Sequence, residues 1–281
     1  MCYNRYFLLF LPNNTLIVMK KMLFLCLFPS LGMAQIVNPP ITRADKELKG
    51  EVKTMVERTY DVYRGDLKQK RLATENRYVF DKAGYATNSE QRYSGNSLRY
   101  QYVYDTAQHP LEVTITKTAH GGSLISIGKY EYDAQGKLLS YRMLMQGSAS
   151  PTQVYTFSKW DNNGNPVEGL LQTDKEKAKV WQEFNKHNQR TLLKMVTEGD
   201  TSSEIRIEVR YDREGRVVER SIAEGNTPPQ VLRYTYDKKG VPTGTNNQQF
   251  KHTFDKKGNW ITRTIFVNGT IVGYVEREIT N

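Results

Sequence analysis

The chain has 281 residues, of which 38% are apolar, 25% charged and 11% aromatic, a composition too rich in rings and branched side chains for a disordered segment. Eighteen Tyr against ten Phe and three Trp favours strands, where a half-buried surface holds a ring and still wets its hydroxyl. The formal charge is +10, and beyond residue 34 it becomes 37 basic against 30 acidic residues; a surplus that small and dispersed, without a basic cluster, excludes nucleic acid as the expected partner.

Residues 1–34 read as an upstream extension and a signal peptide. Met19-Lys20-Lys21 is a positive start, Met22–Phe28 a short apolar run, and Pro29–Ala34 a small-residue cleavage region. Cleavage is expected between Ala34 and Gln35, with Met19 the true start. The apolar run is shorter than the ~20 residues a spanning helix needs, so no stable membrane span is expected after cleavage. Both cysteines, Cys2 and Cys26, lie in this leader, which leaves the exported chain without thiol chemistry. A periplasmic or secreted location follows as the expectation.

Residues 35–48 form a lead-in, with a short helical turn expected near Thr42–Leu48. From residue 49 to residue 281 one phrase recurs: an alternating aromatic strand, Asp, two polar residues, Gly, and a second strand. Its clear copies place Asp81 with Gly84, Asp133 with Gly136, Asp161 with Gly164, Asp212 with Gly215, Asp237 with Gly240, and Asp255 with Gly258. Degenerate copies carry Asp61, Asp105 and Asn185. The nine markers are spaced by 20, 24, 28, 28, 24, 27, 25 and 18 residues. Alternation such as Tyr130-Glu131-Tyr132 puts both rings on one face of a strand. Asp at the strand's end can accept hydrogen bonds from the following amides, and Gly supplies positive φ where the chain reverses. One repeat is therefore one β-hairpin. The expected fold is all-β: an antiparallel meander of up to about 18 strands, curling into a barrel-like or spiral open sheet because a flat sheet of that size is unusual. An open array has edges, and Thr270–Thr280 is the end strand expected to be available to another chain.

The phrase Tyr-x-Tyr-Asp-x-x-Gly resembles the YD repeats of the Rhs class. The closing Phe254–Arg263 and the opening Leu48–Lys53 are similar to those of small exported relatives of Bacteroidetes type. The resemblance covers about residues 48–267. It implies the hairpin architecture; so few repeats do not imply the large toxin-enclosing shell of the big Rhs members.

Candidate chemistry is sparse. The recurring acids are explained by one mechanism, turn formation. Asp161–Asn165 alternates oxygen side chains like a calcium loop, but its Gly is two places early and Gln172 stands where a bidentate Glu belongs. His109, His120, His187 and His252 form no close pair, and no cysteine is available to complete a zinc site. No cofactor, metal site or nucleophile elbow is expected. Trp160, Trp260, Tyr132 and Tyr234 are the candidate ligand-stacking side chains, with the two tryptophans expected exposed at turn ends. The functional expectation is an exported, non-enzymatic binding or structural protein. Its partner would be an envelope polysaccharide on an aromatic ladder, or another protein at an edge strand. A hydrolase would require a deep pocket with convergent acids.

Overall fold

A computed structural model describes residues 40–119 and 121–281. The expected leader, its cleavage site, residues 35–39 of the lead-in and His120 lie outside the described residues.

Eighteen antiparallel strands follow one another in chain order, each paired to the next. β1 (Thr54–Val62) runs into β2 (Lys70–Phe80). Asp81 then turns the chain into β3 (Ala86–Tyr93), and β4 (Asn96–Tyr104) reaches the next turn at Asp105. β5 (Pro110–Ala119) and β6 (Gly122–Tyr132) lead to Asp133, and β7 (Leu138–Met145) and β8 (Pro151–Trp160) to Asp161. Next come β9 (Pro166–Thr173) and β10 (Lys177–Phe184) before Asn185, then β11 (Arg190–Thr197) and β12 (Asp200–Tyr211) before Asp212. β13 (Val217–Glu224) and β14 (Gln230–Tyr236) precede Asp237, and β15 (Pro242–Thr245) and β16 (Gln249–Phe254) precede Asp255. β17 (Trp260–Val267) and β18 (Thr270–Thr280) complete the series.

The sheet closes. β18 lies along β1 from Thr54↔Thr280 to Asp61↔Gly273, so the meander is a barrel and not an open spiral. Thr270–Thr280 is consequently paired on both sides, with β17 and with β1, and the edge expected there does not exist. Closure removes the unpaired amides an open array would present. The lead-in contributes a single 3₁₀ turn, Ala44–Lys46.

Alternation sorts the side chains. Met55, Tyr78, Phe80, Val113, Tyr141, Tyr155, Leu171, Val180, Leu193 and Ile207 are buried on the inner face. Their register partners agree: Tyr155 faces Leu171, Val180 faces Met195, and Leu193 faces Ile207. Gly128 shows how tightly this face packs. The Tyr141 phenol lies across its Cα, where a Cβ would collide with the hydroxyl end of the ring. The outer face carries charge in cross-strand pairs: Arg58 with Glu75 at 2.7 Å, Arg142 with Glu131 at 3.2 Å, Lys159 with Glu168 at 2.8 Å and Arg233 with Glu219 at 2.7 Å.

Candidate functional site

The recurring turns share one rim of the barrel, together with the start of β1 and the end of β18, whose Thr280 carbonyl accepts from the Lys53 amide at 2.8 Å. Each turn is built the same way. In the Asp133 turn the backbone amide of Asp133 donates to the Lys137 carbonyl at 3.0 Å, and Gly136 N–H returns to the Asp133 carbonyl at 3.0 Å. One carboxylate oxygen then accepts from the Gln135 and Lys137 amides at 2.9 and 2.8 Å. Asp105, Asp161, Asn185, Asp212, Asp237 and Asp255 accept from the corresponding amides two and four residues on. Asp81 accepts from Gly84 and Tyr85. Gly84, Gly136, Gly164, Gly215, Gly240 and Gly258 all have positive φ, and where Gly is missing Gln108 (φ 66°) and Asn188 (φ 58°) take the same conformation. Asp61 differs from the expected ninth turn. It lies within β1 opposite Gly273, because the chain enters the barrel there and does not reverse.

These hydrogen bonds account for the acids electrostatically. At Asp105 the amide of His109 leads the interactions that hold the carboxyl below its ordinary range. At Asp161 and Asp255 desolvation works upward, and the side chain of Asn165 or Asn259 with the turn amides outweighs it.

A second regularity explains why tyrosine so often precedes Asp. The side chain before one turn donates to the backbone carbonyl five residues past the Asp of the preceding turn. Tyr104 reaches the Ala86 carbonyl at 2.7 Å, Tyr132 that of Pro110 at 3.0 Å, and the Trp160 indole that of Leu138 at 3.0 Å. Tyr211 reaches Arg190 at 3.1 Å and Tyr236 reaches Val217 at 2.8 Å. Phe184 has no donor, and Gln182 supplies it, reaching the Pro166 carbonyl at 3.0 Å. Each such bond staples neighbouring hairpins at the rim. In the β15–β16 seam the corresponding residue is Phe254, and His252 occupies the position equivalent to Gln182. The His252 ring nitrogen instead accepts from Arg263 Nε at 2.7 Å. The carbonyl of Pro242 receives no staple from either side chain.

The lead-in is clamped against this rim from inside. Asn259, fully buried, accepts from the Lys49 amide through its side-chain oxygen at 2.6 Å. Trp260 Nε1 donates to Glu47 at 2.6 Å, and Arg263 approaches the same carboxylate at 3.5 Å. Arg277 pairs with Glu57 at 2.8 Å, donates to the Lys46 carbonyl at 2.9 Å, and lies 3.2 Å from the Trp260 ring centroid. Burial works to raise the Glu57 carboxyl, and the charges of Arg277 and Lys46 overcome it and hold the group below its ordinary value. Burial, then the charges of Arg263 and Arg277, push the His252 imidazole down to about 4.

Trp260 is therefore a correction. Expected as an exposed stacking residue, it is 3% exposed and committed to Glu47 and Arg277. Trp160, Tyr132 and Tyr234 are half-buried; Trp160 and Tyr132 serve as staples, and Tyr132 stacks on His109 at 5.0 Å.

The outer wall has an open groove of about 1030 Å³ across β10–β13, lined among others by His187, Arg206, Glu208, Arg210 and Glu219. Three of its four acids face bases: Glu208 pairs with Arg206, Glu219 with Arg210 and Arg233, and Asp212 with Arg216. Among the described residues no group of three or more His, Cys, Asp or Glu side chains could hold a metal ion.

No family model and no curated protein matches the chain. Among solved structures, similarity is found to the Tc holotoxin pore of Photorhabdus luminescens, at 14% identity and a TM-score of 0.37 over 72% of this chain and 12% of that one. A porin-like protein from Bacteroides uniformis is similar at 11% identity and a TM-score of 0.39, over 82% of this chain and 98% of that one. The functional reading rests on the chain's own residues.

Proposed function

We propose that this chain is an exported, non-enzymatic binding or structural protein, a water-exposed β-barrel built of YD-like hairpins. The observation that carries the reading is the use made of the acids. The turn acids lie along one rim at hairpin tips, each accepting from two backbone amides, and Asp212 alone of them lines the outer groove. Three of the four acids of the outer groove, Glu208, Asp212 and Glu219, face arginines. The wall supports the water-exposed part. A lipid-facing barrel carries an apolar band ~25 Å tall, whereas this outer face holds cross-strand ion pairs from β1 to β14. The leader motif from Met19 supports export.

The test is fractionation of a tagged full chain in an envelope-bearing host, with the recovered protein assayed on fluorogenic ester, glycoside and peptide substrates. The expected result is processing after Ala34, recovery outside the cytoplasm, and no turnover. Turnover abolished by changing one acid of the outer groove, such as Glu208→Gln, would overturn the non-enzymatic reading.

A further inference from the structure

The barrel is closed, yet one seam in its wall is barely sewn. β15 and β16 share a single registered pair, Gly244↔Gln249, next to their connecting turn. On its other side β16 pairs with β17 all the way from Gln249↔Phe266 to Phe254↔Trp260. His252–Phe254 thus have ladder partners in β17 and none in β15. Three features keep the seam open. β15 is four residues long. It begins at Pro242, which has no amide proton and is a residue of edge strands. The rim staple that ties the other hairpins together is missing, because Phe254 and His252 stand where a donor is needed.

The surroundings of the seam have a definite charge. The turn before β15 carries Lys238 and Lys239, the turn after β16 carries Lys256 and Lys257, and Lys251 projects from β16 itself; all five are exposed. None forms a salt bridge among the described residues, and the nearest acids, Asp237 and Asp255, are occupied by their own turn amides. On the opposite face of β16 the rings of Phe250, His252 and Phe254 form a row with centroids 6.3 and 6.1 Å apart, and Phe254 is 45% exposed.

We infer that the open edge of β16 is a strand-addition site for an acidic, extended segment of a partner protein. An added strand would take up the unpaired backbone groups of β16, the recognition mode by which exposed sheet edges bind peptides. Its alternate side chains would fall in turn beside the lysines and beside the aromatic row, so the segment alternates acidic and apolar residues. The inference rests on the reading of the chain as a binding protein and specifies what it binds.

The probe is a fluorescent peptide of about ten residues alternating glutamate and valine. A second peptide of equal charge has alternate valines replaced by proline, which cannot donate to a ladder. Binding to the full chain is followed by anisotropy, and amide exchange is followed across Gln249–Phe254. The expected result is saturable binding of the first peptide with slowed exchange in β16. The affinity should fall roughly tenfold in a Lys251→Glu, Lys256→Glu, Lys257→Glu variant, from three rim charges of modest individual strength. The proline peptide leaves the protein untouched, so a misfolded variant cannot imitate its effect. Equal binding of both peptides without slowed exchange would overturn strand addition in favour of a polyanion held by the lysine tips. Absence of binding would overturn it outright. Either failure leaves the turnover assay free to judge the non-enzymatic reading separately.

Discussion

Two seams of the same barrel are held in different ways. Between β5 and β6 the ladder runs unbroken from Glu112↔Lys129 to Ala119↔Gly122, and the Tyr132 hydroxyl closes its rim end on the Pro110 carbonyl. Between β15 and β16 there is one pair and no hydroxyl. The β16–β17 hairpin is held from inside instead, by Asn259 on Lys49 and Trp260 on Glu47. The comparison teaches that the repeat is a local rule which the lead-in overrides. Where the chain's own N-terminal segment enters the rim, its contacts replace the staple, and Tyr gives way to Phe254 and the donor Gln182 to His252.

The largest expected effect breaks the clamped side. Arg277→Ala removes the partner of the buried Glu57 carboxylate and the cation stacked on Trp260. Breaking a buried pair from one side should cost about 3–5 kcal/mol in urea unfolding. A Glu57→Gln, Arg277→Leu double variant should recover part of the loss, since it removes both charges of the pair. Equal losses in the single and double variants would show that volume and not charge holds the lead-in.

Smaller losses are expected on the stapled side. Tyr132→Phe keeps the ring against His109 and removes one hydrogen bond, so about 1 kcal/mol should be lost. Asp161→Ala unties the Asn163 and Asn165 amides and should also cost about 1 kcal/mol, by analogy with the loss of a helix-capping oxygen. The converse change sharpens the comparison. Phe254→Tyr places a hydroxyl where four of the other seams have one and should stabilise by up to about 1 kcal/mol. It should also weaken capture of the glutamate–valine peptide, because a stapled seam has less room for an added strand. Higher stability with unchanged peptide affinity would separate the seam from the binding site.

What was legible in the sequence is what the backbone demands locally. Asp133 and Gly136 mark a turn because a reversing chain needs acceptor oxygens and positive φ at that spacing, and even Gln108 and Asn188 bend to the same φ where Gly is absent. The alternation of Tyr130 and Tyr132 likewise gives strand and face directly. Closure was not legible, because β18 meets β1 across more than two hundred residues and no local residue records that pairing. Asp61 was misplaced for the same reason: beside Tyr60 it matches the phrase, while its setting is decided by a strand from the other end of the chain. The burial of Trp260 depends on where Glu47 lands, which spacing cannot reveal. The staple left a trace, since Tyr104, Tyr132, Tyr211 and Tyr236 all precede the turn residue. Reading it required the register of neighbouring hairpins.

A last expected effect is a dependence on pH, and it isolates the residue that takes the place of Gln182. His252 is neutral in the folded barrel down to about 4, held there by burial and by Arg263 and Arg277. In the unfolded chain it takes up a proton near its ordinary value of 6.5. Between those values the unfolded state binds more protons, so stability should fall as pH drops from about 6.5 towards about 4. The turn carboxylates contribute in a different window. Asp161 and Asp255 are held below 3.8, so the stability they supply is present above that value and is lost only as pH falls further. Urea midpoints measured from pH 7 to pH 3 should therefore slope twice. In His252→Gln the upper slope should shrink while the lower one persists, and the new amide, placed as Gln182 is, could donate to the Pro242 carbonyl and draw β15 towards β16. Identical upper slopes in parent and variant would remove His252 from the account of why this seam differs.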